Sequence, residues 1–224
     1  MKRVATIPGD FVPGAISIAG NRIWLGDLGS DRVLGVDRKS FVADSAPISL
    51  ACGTQYPFVS SMLTVGSDLY VLCAATDGYL LRLDAATGAL KGDKVLVGAL
   101  PIAIAHLGDG RLAIVNSTSG TLTMVTPGAT LAVAKDVLKF QNSADLEDVR
   151  ALGQFLYVVS ASTQTLIKVD ASQQLPKILD EVNLNASGES NANPTRAEVL
   201  DDNTAVVCDS GLGRVIGVRF GLKK

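Results

Sequence analysis

The chain has 224 residues and a formal net charge of −2, with 47 % hydrophobic and 19 % charged residues. This composition suits a globular core, and the lack of a basic stripe argues against nucleic-acid binding. No apolar run approaches the roughly 18 residues of a membrane-spanning helix, so we expect no membrane insertion.

Five segments of the chain repeat one pattern. An apolar run meets a short polar hairpin, then a second apolar run, a turn and an alternating run rich in Val, Ile and Thr. The segments begin at Gly14, Val59, Ile102, Glu147 and Thr195. Repeats of about 40–50 residues that hold several short strands are typical of propeller blades. We therefore predict an all-β, five-bladed β-propeller with four antiparallel strands per blade, which forms one domain over residues 1–224.

The fourth strand of each blade indicates how the ring closes. Candidates follow the first four segments, at Ser45–Leu50, Lys94–Gly98, Lys135–Phe140 and Ile178–Leu184. The fifth segment ends without one, whereas Lys2–Ile7 near the start has the missing pattern. Because an open blade leaves an unpaired sheet edge, we predict that this N-terminal strand completes the C-terminal blade. Met1 then runs almost directly into a strand, and we expect no signal peptide in this chain.

The repeat resembles the surface-layer type propellers, whose units are called YVTN repeats, and the related NHL-like repeats. The resemblance is carried by Leu69-YVLCAATDGYLLRLDAATGAL, Leu156-YVVSASTQTLIKVDAS and Asn21-RIWLGDLGSDRVLGVD. Proteins of this group are often bacterial, exported and used as binding platforms. The resemblance thus implies a periplasmic or extracellular scaffold for protein–protein interaction, although fold alone does not define function.

A change in the first strand of each blade marks one candidate ligand site. This strand lines the channel of a propeller, and it is nearly uncharged in blades 1 to 3. In blades 4 and 5 it carries the ligand-binding candidates Glu147, Asp148, Arg150, Arg196 and Glu198. Residues two apart on a strand share a face, so we expect Asp148 to face Arg196, and Arg150 to face Glu198. These pairs either fix the order of the blades or form a polar ligand pocket.

A second candidate set ends the second strand of four blades, beside the following turn. It consists of Asp27, Asn116, Ser160 and Asp209. These side chains either satisfy main-chain groups of the turns or form a rim of ligand contacts. The single histidine, His106, has no acidic or serine partner in the pattern, and we expect it to be packed or solvated.

Two classes of function follow from these patterns. The first is a non-enzymatic binding or interaction scaffold with an unknown small molecule or protein as partner, with no catalytic residues, no metal ligands and no cofactor. The alternative is a calcium-dependent hydrolase similar to gluconolactonase and regucalcin, since carboxylate and amide oxygens bind calcium. A glycosidase would need paired carboxylates, for which Glu147 and Glu198 are the available pair.

The three cysteines leave two arrangements open. Cys73 and Cys208 lie at near-equivalent positions in second strands, which predicts buried thiols. A disulfide between Cys73 and Cys52, which lies in the loop between blades 1 and 2, would instead indicate export. We expect the protein to be a monomer.

Overall fold

The computed structural model describes residues 6–53, 55–141, 145–185, 188–189 and 191–221. Within these residues the chain forms nineteen β-strands in five antiparallel sheets. In the second, third and fourth sheets the second strands are apolar and almost entirely buried, as expected for strands covered on both sides. The structure contains no helix, in the ranges it describes, that is long and apolar enough to cross a membrane.

The first compact unit, residues 1–101, contains two four-stranded sheets, each ordered along the chain. The first sheet consists of β1 (Pro13–Ala19), β2 (Arg22–Asp27), β3 (Arg32–Asp37) and β4 (Ile48–Ser49). The second consists of β5 (Phe58–Val65), β6 (Asp68–Ala74), β7 (Gly78–Asp84) and β8 (Val95–Gly98). The β1–β2 hairpin turns at Gly20 and the β5–β6 hairpin at Gly66, both with positive φ, a conformation that costs glycine little.

The second unit, residues 102–224, contains the other three sheets. The third sheet consists of β9 (Pro101–His106), β10 (Leu112–Asn116), β11 (Thr121–Thr126) and β12 (Ala132–Lys139). The fourth consists of β13 (Leu146–Leu152), β14 (Phe155–Ser160), β15 (Thr165–Asp170) and β16 (Lys177–Asn183). The fifth consists of β17 (Pro194–Asp201), β18 (Thr204–Asp209) and β19 (Arg214–Arg219).

A fourth strand completes each of the first four sheets, as predicted: β4, β8, β12 and β16, of which β4 is shorter than predicted. The fifth sheet has three strands among the described residues, also as predicted. Of the segment expected to complete it, Lys2–Ala5 lies outside the described residues, and Thr6 and Ile7 are not part of a strand. Closure by the N-terminal strand therefore stays a prediction.

The core of the first unit forms where β1 and β2 pack against the second sheet. Trp24 on β2 is fully buried in this core, among residues that include Val59, Leu69 and Leu81. Its indole Nε1 donates a 2.8 Å hydrogen bond to the carbonyl oxygen of Ala85. A buried Trp whose N–H is bonded adds both apolar area and a fixed orientation to the contact between the two sheets.

On the opposite face of the first sheet, the apolar side chains of β1 are exposed. Ile16 and Ile18 on β1 retain 63 % and 52 % of their accessible surface. The equivalent positions of the second sheet, counted from the glycine of each hairpin, are Met62 and Thr64, and Met62 is 8 % exposed. The same strand position thus faces the core in the second sheet and solvent in the first.

The described residues of the second unit form two apolar clusters. One joins the third and fourth sheets and includes Leu122, Phe140 and Val158, all buried. The other joins the fourth and fifth sheets and includes Tyr157 and Val207. Each cluster is built from side chains that alternate along their strands, as the sequence pattern predicts.

The cysteines differ from the prediction of buried thiols. Cys52 and Cys73 form a disulfide with a Cα–Cα distance of 6.4 Å, and both residues are buried. Cys208 is free but exposed, because its side chain lies on the face of β18 opposite to the one that packs on the fourth sheet. Equivalent strand positions therefore differ in burial between the two units.

Candidate functional site

The four rim candidates occupy one position in four sheets, the last residue of the second strand. Asp27 ends β2, Asn116 ends β10, Ser160 ends β14 and Asp209 ends β18. All four are buried, with at most 2 % of their surface exposed. Buried polar groups need hydrogen-bond partners, and the partners show what this position does.

Asp27 holds together the turn between β2 and β3. Its Oδ1 accepts main-chain N–H groups of Val12 and Gly29 at 3.0 and 2.9 Å. Its Oδ2 accepts from Ser30 Oγ at 2.7 Å and from Arg32 Nη2 at 2.6 Å. The carboxylate therefore fixes both the turn and the segment that enters β1.

Asp209 repeats this arrangement in the fifth sheet. Its Oδ1 accepts the N–H groups of Asn193 and Leu212 at 2.8 and 3.3 Å, and its Oδ2 accepts from Arg214 Nε at 3.1 Å. Asn116 and Ser160 use neutral partners instead. Asn116 donates to the hydroxyls of Thr121 and Thr123, and Ser160 accepts from the hydroxyl of Thr163.

Hydrogen bonding shifts the titration of both buried aspartates. Burial raises the pKa of Asp27, but hydrogen bonds from Ser30, Gly29 and Arg32 outweigh it and leave the pKa below its usual value. Burial likewise raises the pKa of Asp209, and the N–H groups of Asn193 and Leu212 together with the charge of Arg214 bring the net pKa below normal. Both carboxylates are thus stabilised in the charged form.

Asp148 is the central residue of the channel candidates on β13 and β17. Its side chain is 4 % exposed, and Oδ2 accepts the main-chain N–H of Ala197 on β17 at 3.0 Å. Arg150 Nε lies 3.0 Å from the same carboxylate oxygen and also donates to the carbonyl oxygen of Ala197 at 3.0 Å. Together the two side chains hold both main-chain groups of one residue on the neighbouring sheet.

Only one of the two predicted ion pairs is present. Arg196 Nη1 lies 3.6 Å from Asp148 Oδ1, which confirms that pair, and donates to the carbonyl oxygen of Glu147 at 3.2 Å. The predicted pair of Arg150 and Glu198 is absent from the described residues, because Arg150 turns to Asp148 on its own strand instead. Glu198 is exposed on β17.

Glu147 is half-buried at the start of β13. Burial raises the pKa of its carboxyl, while the charge of Arg196 lowers it and the charges of Asp145 and Asp148 raise it further; the net pKa is above normal. Glu147, Asp148, Arg150 and Arg196 are brought together, and Glu198 is not joined to them by an ion pair.

One buried charge escaped the sequence interpretation. Lys168 on β15 is 7 % exposed, and its Nζ lies 4.6 Å from the ring centre of Phe155 and 5.7 Å from that of Tyr157. It donates to the carbonyl oxygen of Asp202 and to Asn203 Oδ1. A lysine between two apolar residues of a buried strand, Ile167 and Val169, is the sequence signal that could have found it.

Two observations bear on metal and histidine chemistry. Within the described ranges, no group of three or more His, Cys, Asp or Glu side chains is arranged to hold a metal ion. His106 is exposed at the end of β9, so of the two expected positions, packed or solvated, it occupies the solvated one.

No protein-family model and no curated protein sequence matches the chain. Solved structures do match it: hydrazine synthase of Kuenenia stuttgartiensis (TM-score 0.73, 15 % identity) and virginiamycin B lyase of Staphylococcus aureus (0.72, 17 %). A third is YCF48 bound to a D1 peptide (0.64, 11 %), and a β-propeller domain is also among the matches. The chain has a β-propeller fold.

These matches cover 92 %, 96 % and 100 % of this chain, but only 64 %, 68 % and 68 % of the matched chains. The chain thus spans about two thirds of their length. At such low sequence identities the likeness shows the fold alone, and five sheets with nineteen described strands are consistent with five blades. The predicted YVTN or NHL-like family is not confirmed by these matches.

Proposed function

We propose that the protein is a non-enzymatic β-propeller that acts as a binding scaffold for a protein or small-molecule partner. The proposal rests on how its buried polar side chains are used. Asp27, Asp148 and Asp209 each accept main-chain N–H groups and arginine N–H groups of the same unit. Carboxylates engaged in this way serve the fold, since a general base or nucleophile must reach its substrate.

The binding surface that we propose lies along β13 and β17 of the second unit. The side chains of Arg150 and Arg196 remain 44 % and 54 % exposed although they are anchored at one nitrogen, and Glu198 is exposed beside them. Exposed charges of both signs on a rigid strand favour a partner of complementary charge pattern. The YCF48 complex is an example of a protein with this fold that binds a peptide.

The experiment compares three immobilised proteins in an extract of the source organism: wild type, Arg196→Ala/Glu198→Ala, and Arg219→Ala, an exposed control on β19. We expect the wild type and the control to retain a partner that the double variant does not retain. The melting temperatures of the three proteins should lie within about 2 °C of each other, as for exposed substitutions. Equal retention by all three proteins would exclude this surface as the binding site.

The calcium-dependent hydrolase is not favoured by the described residues or by the structural matches. Its direct test is metal analysis of the purified protein together with lactone hydrolysis in the presence of calcium. Stoichiometric calcium and turnover abolished by a chelator would replace the scaffold proposal.

We also propose that the fifth sheet receives its fourth strand from Lys2–Ile7. Among the described residues the fifth sheet ends at β19, whereas each of the other four sheets has a fourth strand, and this difference supports the proposal. Deletion of residues 1–8 should then lower the melting temperature or the solubility, because a sheet edge loses its partner. A truncated protein with an unchanged melting temperature would contradict closure.

A further inference from the structure

The segment Leu50–Gly53 connects the two sheets of the first unit and is held from both sides. Asp31, just before β3, accepts the N–H of Leu50 with its carbonyl oxygen and the N–H of Cys52 with Oδ2, both at 2.9 Å. Lys94, just before β8, donates from Nζ to the carbonyl oxygens of Ala51 and Cys52 at 3.0 and 2.7 Å. The Lys94 ammonium also lies 4.8 Å from the ring centre of Tyr79 on β7.

The backbone of this segment has an unfavourable conformation. Ala51 has φ of 49° and Gly53 has φ of 73°, and the left-handed region is costly for alanine. Such conformations persist only where the surroundings hold them. The disulfide from Cys52 to Cys73 on β6 supplies the covalent part of that support.

We propose that the Cys52–Cys73 disulfide is a permanent lock on this segment, formed once during folding in an oxidising compartment such as the periplasm or the extracellular space. The thiols of Cys52 and Cys73 react with an oxidant that itself contains a disulfide. The sulfur–sulfur bond forms in this chain, both hydrogens and both electrons pass to the oxidant, and the oxidant becomes a dithiol. Structural disulfides are formed in such compartments and are rare in the cytosol.

Burial distinguishes a lock from a reversible switch. Cys52 and Cys73 are 0 % and 1 % exposed, so a dissolved reductant cannot reach the sulfurs of the native protein. Cys208 is free and exposed in the other unit, and it provides an internal control for thiol reactivity. This inference does not depend on the proposed binding function.

The first test counts thiols in wild-type protein made with and without an export leader. After unfolding and alkylation, we expect one labelled cysteine, Cys208, in the exported protein. The same count should hold when reductant is applied before unfolding to the native protein and then removed. Three labelled cysteines in the exported protein would overturn the proposal, and three after native-state reduction would show a switch rather than a lock.

The second test compares Cys52→Ser/Cys73→Ser with the control Cys208→Ser. Opening a 21-residue loop should lower the melting temperature by roughly 5–10 °C. We also expect at least tenfold faster amide exchange at Leu50 and Cys52. If the double variant matches the control in both measurements, the disulfide does not hold the segment Leu50–Gly53 and the proposal fails. If the double variant does not fold, the thiol count on the wild-type protein decides.

Discussion

At the scale of single residues, Asp148 shows how a predicted ligand residue serves the backbone. Asp148→Ala leaves the buried N–H of Ala197 without its acceptor, and we expect a loss of about 1–3 kcal/mol in unfolding free energy. Asp148→Asn keeps a carbonyl oxygen at this place and should lose less. Glu198→Ala, exposed on the neighbouring strand, should change the free energy by no more than about 0.5 kcal/mol. Urea denaturation at pH 7 measures the unfolding free energy of all three variants. Equal losses of free energy in Asp148→Asn and Asp148→Ala would contradict the role of Asp148 as the acceptor.

The pair expected between Arg150 and Glu198 leads to a related prediction. Because Arg150 binds Asp148 and Ala197 instead, Glu198→Ala should not rescue Arg150→Ala. The two changes should add within about 0.5 kcal/mol in a double-mutant cycle. Recovery of stability in the double variant would show that the two side chains do interact in solution.

Asp27 links the same chemistry to pH. The pKa of Asp27 in the folded protein is below the ordinary value of 3.8. Its contribution to stability is therefore present above the pKa of the unfolded chain and is lost as the pH falls through the pKa of the folded protein. Asp27→Asn should therefore lower the denaturation midpoint at pH 7 and flatten its fall below about pH 4. The exposed Asp93→Asn is the matched control and should follow the wild type. A parallel acid profile for wild type and Asp27→Asn would exclude a role for this carboxylate in acid unfolding.

At the scale of elements, the exposed apolar face of β1 leads to a prediction about solubility. Ile16→Thr/Ile18→Thr keeps β-branched side chains that suit a strand, and both positions are more than half exposed. We expect a melting temperature within about 2 °C of wild type and a higher solubility limit, since large exposed apolar patches promote association. Val59→Thr, in the buried core of the same unit, is the contrasting control and should lower the melting temperature. A similar loss for the double variant would show that another sheet covers this face in solution.

Strand positions were predictable from the sequence because alternation, turns and glycine hairpins are local signals. The fourth strands were less so: β4 contains only Ile48 and Ser49, although the pattern Ser45–Leu50 suggested a longer strand. Partners of charged side chains were the least predictable. The guanidinium of Arg150 and the ammonium of Lys168 end several bonds from the backbone, so strand register fixes where each side chain begins but not what its charge contacts.

At the scale of the whole molecule, repeat length and strand count predicted the fold class, and the likeness to known β-propellers agrees with it. The sequence could not indicate a ligand, because its site candidates were either changes of charge in the first strands or polar residues that recur at the end of second strands, and both patterns fit a structural role equally well. In the structure these residues mostly hold turns and neighbouring strands, as Asp209 does for Asn193. A polar or charged residue that stands out in a repeat can therefore serve ligand binding or packing, and the sequence pattern is the same in both cases.

The buried Trp24 gives the protein a built-in optical reporter. It is the only tryptophan of the chain, so emission excited at 295 nm originates in the first unit, whereas far-ultraviolet circular dichroism averages over all five sheets. If residues 1–224 form one cooperative domain, as the repeat predicts, the two signals should give superimposable urea curves. Separate midpoints would show that the units unfold one after the other. Acrylamide should barely quench the emission of the native protein. The urea concentration at which quenching begins would then mark where solvent first reaches the space between β2 and the turn at Ala85.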